Sequence, residues 1–181
     1  MFHLNCNLGY AQRFIKKHHR HSKPLKRHMF SIAVCETEDI WQGTIGVVTV
    51  DRCSSAWSKH SEMVEIRRLC VIDGAPKNTA SFLLSKAREA CFAMGYLIVV
   101  TYTKPYESAS SLRAAGFQLS KATWIKGEPK HPKGLVRWVS YRNRRPDVED
   151  IEFTNETLTK IKDDIDNEPN VFILRKTKEV N

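Results

Sequence analysis

Apolar and polar positions along this chain follow two rhythms, one of period two and one near 3.6, and the switches between them outline its elements. Phe2 to Leu4 reads as a short first strand. Asn7 is placed to cap a helix over Leu8–His19, with Leu8, Phe14, Ile15 and His18 near one face. The segment HHRHSKPLKR has a proline and no apolar rhythm, so a loop is expected. HMFSIAVCE and GTIGVVTVDR read as two strands, antiparallel because the turn ETEDIWQG between them is short. CSSAWSKHSE is polar and loop-like. MVEIRRLCVID is a further strand. Plain alternation puts Glu65, Arg67, Leu69 and Val71 on one face, and Ile66, Arg68, Cys70 and Ile72 on the other. Only a bulge would bring Glu65 and Arg68 to one side.

After a Gly-Ala-Pro turn the rhythm becomes helical from Asn78 to Met94. Ala80, Leu83, Leu84, Ala87 and Cys91 form its apolar stripe, and Gly95 ends it. Leu97–Thr103 is apolar enough for a central strand. Ser108–Ala115 is a short helix stopped by Gly116. Gln118–Ile125 and Leu135–Tyr141 are expected to form a last antiparallel pair around GEPKHPKG. Beyond Arg145 the character changes: Thr157–Ile165 has helical spacing and VFIL could make one strand. These elements imply an α+β domain over 1–145 and an acidic appendage over 146–181.

The five cysteines (Cys6, Cys35, Cys53, Cys70 and Cys91) form no CxxC pair, and three lie in apolar runs. Reduced, buried thiols in a cytoplasmic protein are the expectation. No signal-peptide pattern opens the chain, and no apolar run nears the ~20 residues that span a bilayer, so no membrane partner is expected.

Charge sharpens this picture. The net charge is +9, unevenly distributed. Residues 1–35 hold seven Lys/Arg and no acid, and residues 121–145 hold eight against one. The centre is balanced, and 146–181 holds five bases against ten acids. Two basic flanks suit a polyanionic partner, such as DNA or tRNA. In the second flank Trp124, Trp138 and Tyr141 interleave with the cations, a mixture that can stack bases and hold phosphates. It would equally suit a hairpin with core tryptophans.

The strand–turn–helix at 65–94 carries the candidate chemistry. A helix N-terminus after a strand offers free N–H groups and the positive end of a dipole, a setting for phosphate. Pro76 lacks an N–H, but Lys77, Asn78, Thr79 and Ala80 supply theirs, and Lys77 adds a cation. Val71, Asp73 and Gly74 lead into the same turn. A plain turn with Asn78 or Thr79 as cap is the simpler reading. Glu65 on a central strand is a candidate base. His18, His19 and His21 lie among Lys16, Lys17, Arg20 and Lys23. They could relay protons, read an anion or bind a metal, and the neighbouring cations disfavour a bound metal. Tyr102 and Tyr106 end the central strand, where a phenol can donate a proton. No G-x-S-x-G elbow supports a serine nucleophile.

The order of these elements resembles the GNAT acyltransferase superfamily over roughly residues 1–142, and Ser111-Leu112-Arg113-Ala114-Ala115-Gly116-Phe117 resembles its last helix. A narrower resemblance is to a phage-encoded branch similar to the phage Mu DNA-modification protein Mom. It is carried by His18-His19-Arg20-His21, Glu65-Ile66-Arg67-Arg68-Leu69-Cys70, Asp73-Gly74-Ala75-Pro76-Lys77-Asn78 and Thr101-Tyr102-Thr103. The resemblance implies a mostly antiparallel sheet flanked by helices, and acetyl-CoA or another acyl donor. That donor would be held by Val71, Asp73, Gly74, Lys77, Asn78, Thr79 and Ala80. Glu65, His19, Tyr102 and Tyr106 would be the catalytic candidates. A nitrogen acceptor, such as a nucleobase amine, would be met by His18, His21, Arg68, Trp124, Lys130 and Arg137; a generic small-amine or protein N-acetyltransferase, or an inactive fold that binds nucleic acid, is the alternative. Two departures stand out: the usual R/Q-x-x-G-x-G/A loop is replaced by DGAPKNTA, and the usual tyrosine of the last helix is Leu112.

Overall fold

The computed structural model describes residues 1–19, 23, 25–37, 43–53, 62–104, 106–120, 124–125, 128–129 and 135–142. Its elements are β1 (Phe2–Cys6), α1 (Leu8–His18), β2 (Phe30–Cys35), β3 (Thr44–Arg52), β4 (Met63–Val71) and α2 (Thr79–Ala93). They continue with β5 (Ile98–Thr103), α3 (Ser110–Ala114), β6 (Gln118–Leu119), β7 (Trp124–Ile125), β8 (Glu128–Pro129) and β9 (Val136–Tyr141). Seven strands form one sheet in the order β1-β2-β3-β4-β5-β9-β6. Every pairing in it is antiparallel except β4 with β5.

Each face of the sheet has its own cover. On one side α1 lays Ala11, Phe14 and Ile15, spaced to share one helical face, onto Ala33, Val47 and Cys70. Asn7 starts this helix by accepting the Tyr10 N–H at 2.9 Å. On the other side α2 buries Leu83, Leu84, Ala87 and Cys91 against Ile32, Val34, Val48, Val50 and Ile66. A fully buried aliphatic side chain of this kind contributes about 1.5–3 kcal/mol, so this layer holds most of the core energy. Gly46 permits the close approach, since a Cβ there would lie 2.7 Å from Leu83 Cδ1.

Several expectations need correction. The β4 alternation is broken: the β3–β4 register shifts between Thr49 and Val50, so Thr49 faces Arg68 and Val50 faces Ile66. Arg67 is the extra residue of a bulge. Glu65, Arg68 and Cys70 therefore share the α1 face with Asp51, Thr49 and Val47. In α2 the stripe includes Thr79, fully buried, whereas Ala80 is only partly covered. The expected strand 118–125 is really two pieces. Among the described residues Gln118 and Leu119 pair with β9 and the Ser120 N–H reaches the Arg137 carbonyl at 3.0 Å, while Trp124–Ile125 pairs with Glu128–Pro129 in a separate two-stranded ribbon. The Leu8–His19 helix ends one residue early, and β1 runs two residues further, to Cys6. The appendage at 146–181 lies outside the described residues.

Candidate functional site

The centre of the sheet is forked. The parallel ladder between β4 and β5 covers only Met63–Glu65 opposite Ile98–Val100. Past Glu65, β4 follows β3 to Val71, while β5 follows β9 as far as the Thr103–Val136 pair. The bulge at Arg67 turns β4 away just after the last shared rung. Thr101 Oγ1 donates to the Ile66 carbonyl at 2.9 Å in place of the next rung. The diverging edges leave backbone groups without a strand partner in the middle of the sheet.

Past the end of β4 lies a turn that is almost all backbone. Gly74 has φ +80° and Asn78 has φ +70°, both in the left-handed region. The Ala75 N–H reaches the Ile72 carbonyl at 3.3 Å. Pro76 O accepts from the Thr79 N–H at 3.3 Å and from Thr79 Oγ1 at 2.7 Å. Asn78 makes no side-chain capping bond; its carbonyl accepts from the Phe82 N–H at 2.8 Å and from Ser81 Oγ at 3.0 Å. The N–H groups of Ala80 and Ser81 have no acceptor among the described residues. They are the orphan donors of a fifteen-residue helix, at its positive end. Lys77 is exposed beside them, and so are Asp73 and Gly74, while Val71 is half-buried at the strand end. Met1 Sδ lies 3.5 Å from Thr79 Oγ1.

On the α1 face, at the last shared rung, several charged side chains are packed into one place. Glu65 faces Asp51 across β3–β4 and Val100 across β4–β5. Like charges directly opposite repel, and guanidinium groups offset this. Arg67 Nη2 lies 3.4 Å from Glu65 Oε2, and Arg27 Nε donates to Asp51 Oδ2 at 3.2 Å. Arg137, opposite Tyr102 on β9, is only 4% exposed and sets Nη2 3.4 Å from Met63 Sδ. Burial raises the Tyr102 phenol above its ordinary value, against the lowering effect of Arg137. Burial likewise pushes the Cys53 thiol up to about 11, with Glu65 adding to it and Arg137 and Arg67 opposing. Desolvation lowers the Arg68 value, with Arg67 adding to the effect. Arg68 Nε donates to the Lys23 carbonyl at 3.1 Å.

The structure thus brings together Glu65, Tyr102 and Arg137 from strands far apart in the chain. Arg137 was expected on a phosphate-facing surface; it lies inside the cluster because β9 is an interior strand. Trp138 is likewise a core residue, 3% exposed, with Nε1 donating to Thr103 Oγ1 at 2.9 Å. Tyr106 is 54% exposed, beneath the Lys104 ammonium at 5.4 Å from its ring centre, and does not join Tyr102. His18 packs its ring on Phe14 at 4.7 Å, and His19 caps the end of α1, its N–H reaching the Ile15 carbonyl at 2.9 Å. His21 and Lys130 fall outside the described residues, as does the side chain of Trp124. Sequence reading missed Asp51 and Cys53, and it gave Arg67 a place beside Lys77 at the turn rather than beside Glu65. The alternation of β3 could have flagged Asp51 as a charged residue ending an apolar run. Leu112 is 5% exposed and packed in the core. Among the described residues no group of three or more His, Cys, Asp or Glu converges as a metal site. No helix among them is long and apolar enough to cross a membrane.

No family model and no curated protein matches the sequence. Solved structures do resemble it. The IAA acetyltransferase from Bacillus cereus superposes with a TM-score of 0.53 at 14% identity, covering 77% of this chain and 98% of that one. Tetrahymena GCN5 does so at 0.52 and 18% identity, covering 78% and 89%. The N-acetylglutamate synthase from Neisseria gonorrhoeae, solved with coenzyme A and N-acetyl-glutamate, gives 0.53 at 12% identity. That match covers 80% of this chain and 36% of that one. At these identities the likeness concerns the fold, which is that of the GNAT acetyltransferases.

Proposed function

We propose that the chain is a GNAT-fold N-acyltransferase that moves an acyl group from an acyl-CoA to a nitrogen nucleophile. The observation that carries this reading is the fork between β4 and β5, with Glu65 on its last rung and the α2 N-terminus past its open end. An acyl-CoA joins a pyrophosphate to a long arm bearing amides. The residues present fit both parts. The free N–H groups of Ala80 and Ser81 and the Lys77 ammonium suit the phosphates. The strand edges that part beyond Glu65, past the Ile66 and Arg67 carbonyls that side chains already occupy, suit the amides. The donor supplies the activated thioester.

Glu65, paired with Arg67 at 3.4 Å, is the base. The amine nitrogen attacks the thioester carbonyl, forming an N–C bond and breaking the C–S bond. Glu65 takes the proton that nitrogen sheds, and Tyr102 gives one to the leaving sulfur. Proton return from Glu65 to Tyr102 resets the site, so the net products are the amide and the free thiol. A phenol whose value is raised keeps its proton at neutral pH, as an acid in this role must. Leu112, buried in the core, has no proton to give, and Tyr102 takes the place of the usual tyrosine on that helix.

For the acceptor we favour an amine on a polyanion, specifically a nucleobase amine of DNA, as in the Mom-like branch. Its support is the charge distribution, with seven cations in the first flank and seven in the second besides the buried Arg137, and exposed Arg27 and Arg52 near the cluster. Flipping the base out of the duplex would bring it to the site. The test is mass spectrometry of nucleosides from cells expressing the wild type or Glu65→Gln. A new acylated nucleoside in the wild type alone supports the reading. Identical profiles at equal expression point to a small-molecule or protein amine instead.

A further inference from the structure

Where β4 and β5 part, a side chain replaces the backbone. The ladder pairs Met63 with Ile98, Val64 with Val99 and Glu65 with Val100. A regular parallel ladder would next join Ile66 to β5 through backbone groups. Here the Ile66 carbonyl accepts the Thr101 hydroxyl at 2.9 Å, in a buried setting where Thr101 is 8% exposed. An unmet carbonyl at this depth would draw β5 back toward β4, because a buried acceptor without a partner is costly. The hydroxyl removes that pull, and a side chain between the strands holds their backbones further apart than a direct bond would. Its β-branched carbon restricts the rotamer and so the direction in which the hydroxyl points. The neighbouring strand supports it: Thr101 faces Trp138 on β9, itself a core residue.

We infer that Thr101 is a positioning residue that sets where the fork begins, and so keeps the β4 edge beyond Glu65 open to the amide-bearing arm of the donor. The inference rests on the acyltransferase reading above. Thr101 acts on the donor through the strands rather than by touching the reacting atoms. Two devices therefore share the fork. The bulge at Arg67 turns β4 on its β3 side, and the Thr101 hydroxyl holds the β5 side. The first depends on register and the second on a single oxygen atom, which makes the second open to a conservative substitution.

The experiment is calorimetric titration of the full chain and its Thr101→Val and Thr101→Ser variants with two probes. Acetyl-CoA engages both the arm and the phosphate site. Adenosine 3′,5′-diphosphate lacks the arm and engages the phosphate site alone. Thr101→Val is expected to bind acetyl-CoA about tenfold more weakly, the scale of one buried hydrogen bond. Thr101→Ser, which keeps the hydroxyl, should bind as the wild type does. All three should bind the diphosphate equally. Equal acetyl-CoA affinity in Thr101→Val overturns the inference, and so does an equal loss for both probes, which marks general damage. A wild type that binds neither probe overturns the acyltransferase reading itself. Should Thr101→Val not fold, Thr101→Ala carries the same comparison.

Discussion

The turn that precedes α2 and the cluster on the α1 face are built on opposite plans. The turn is short in sequence, exposed and made of backbone, with its conformation set by Gly74 and Asn78. The cluster is gathered from β3, β4, β5 and β9, and it is made of packed side chains in which guanidinium groups surround two carboxylates. Backbone donors survive most substitutions, whereas a gathered cluster loses its chemistry with one atom. In this account the turn governs how tightly the donor is held, and the cluster governs what happens once it is held.

The largest expected effect lies in the cluster. Glu65→Gln should lower kcat by about 10²–10⁴-fold, the usual contribution of a positioned base, with little change in donor KM. Steady-state kinetics read both, and a change confined to KM would move Glu65 to a binding role. Tyr102→Phe should cost about 10²-fold in kcat by the same reasoning. The sign of its pH dependence follows from burial, which disfavours the phenolate. The acidic form persists beyond the ordinary phenol value and is lost only at still higher pH. Activity resting on it should therefore fall only on the far alkaline side, and a kcat–pH profile of Tyr102→Phe should lack that limb.

Next come changes in stability that separate scaffold from site. Gly46→Ala puts a methyl group against Leu83 and should cost about 1–3 kcal/mol in urea unfolding, the usual penalty of overpacking. At Asn78, with φ +70°, substitution by alanine should cost about 1 kcal/mol, while glycine should cost nothing. If both variants unfold alike, the left-handed residue is not fixing the turn. The smallest effect belongs to the turn's one side-chain cation. Lys77→Ala should weaken donor binding only about two- to fivefold, because a charge at a helix end contributes about 0.3–1 kcal/mol. A loss as large as that of Glu65→Gln would erase the contrast between the two regions.

That contrast also explains what the sequence made readable. The turn is local, so Gly74, Pro76, Lys77 and Asn78 announce it within a few residues. The strands β2 and β3 and the stripe of α2 are equally local, because apolar periodicity reports burial directly. The faces of β4 were not readable. Period-two counting placed Glu65 and Arg68 apart, and the bulge that reunites them is fixed by pairing with β3. Arg137 shows the same limit from the other side. In a basic segment it looked like a surface cation, and only its register opposite Tyr102 puts it in the interior. The strand expected over 118–125 was an overextension, since its apolar residues serve two separate pairings. The buried setting of Cys35, Cys70 and Cys91 was legible from their apolar neighbours, and all five cysteines are free thiols.

On this reading the donor bridges the α2 N-terminus and the open edge of β4. Residue-resolved hydrogen exchange with and without saturating acetyl-CoA tests this most directly. Exchange should slow at the amides of Ala80 and Ser81 and along β4 past Glu65, with little change in β1 and β2. Binding that leaves those amides unprotected, or that protects another part of the sheet instead, would contradict it.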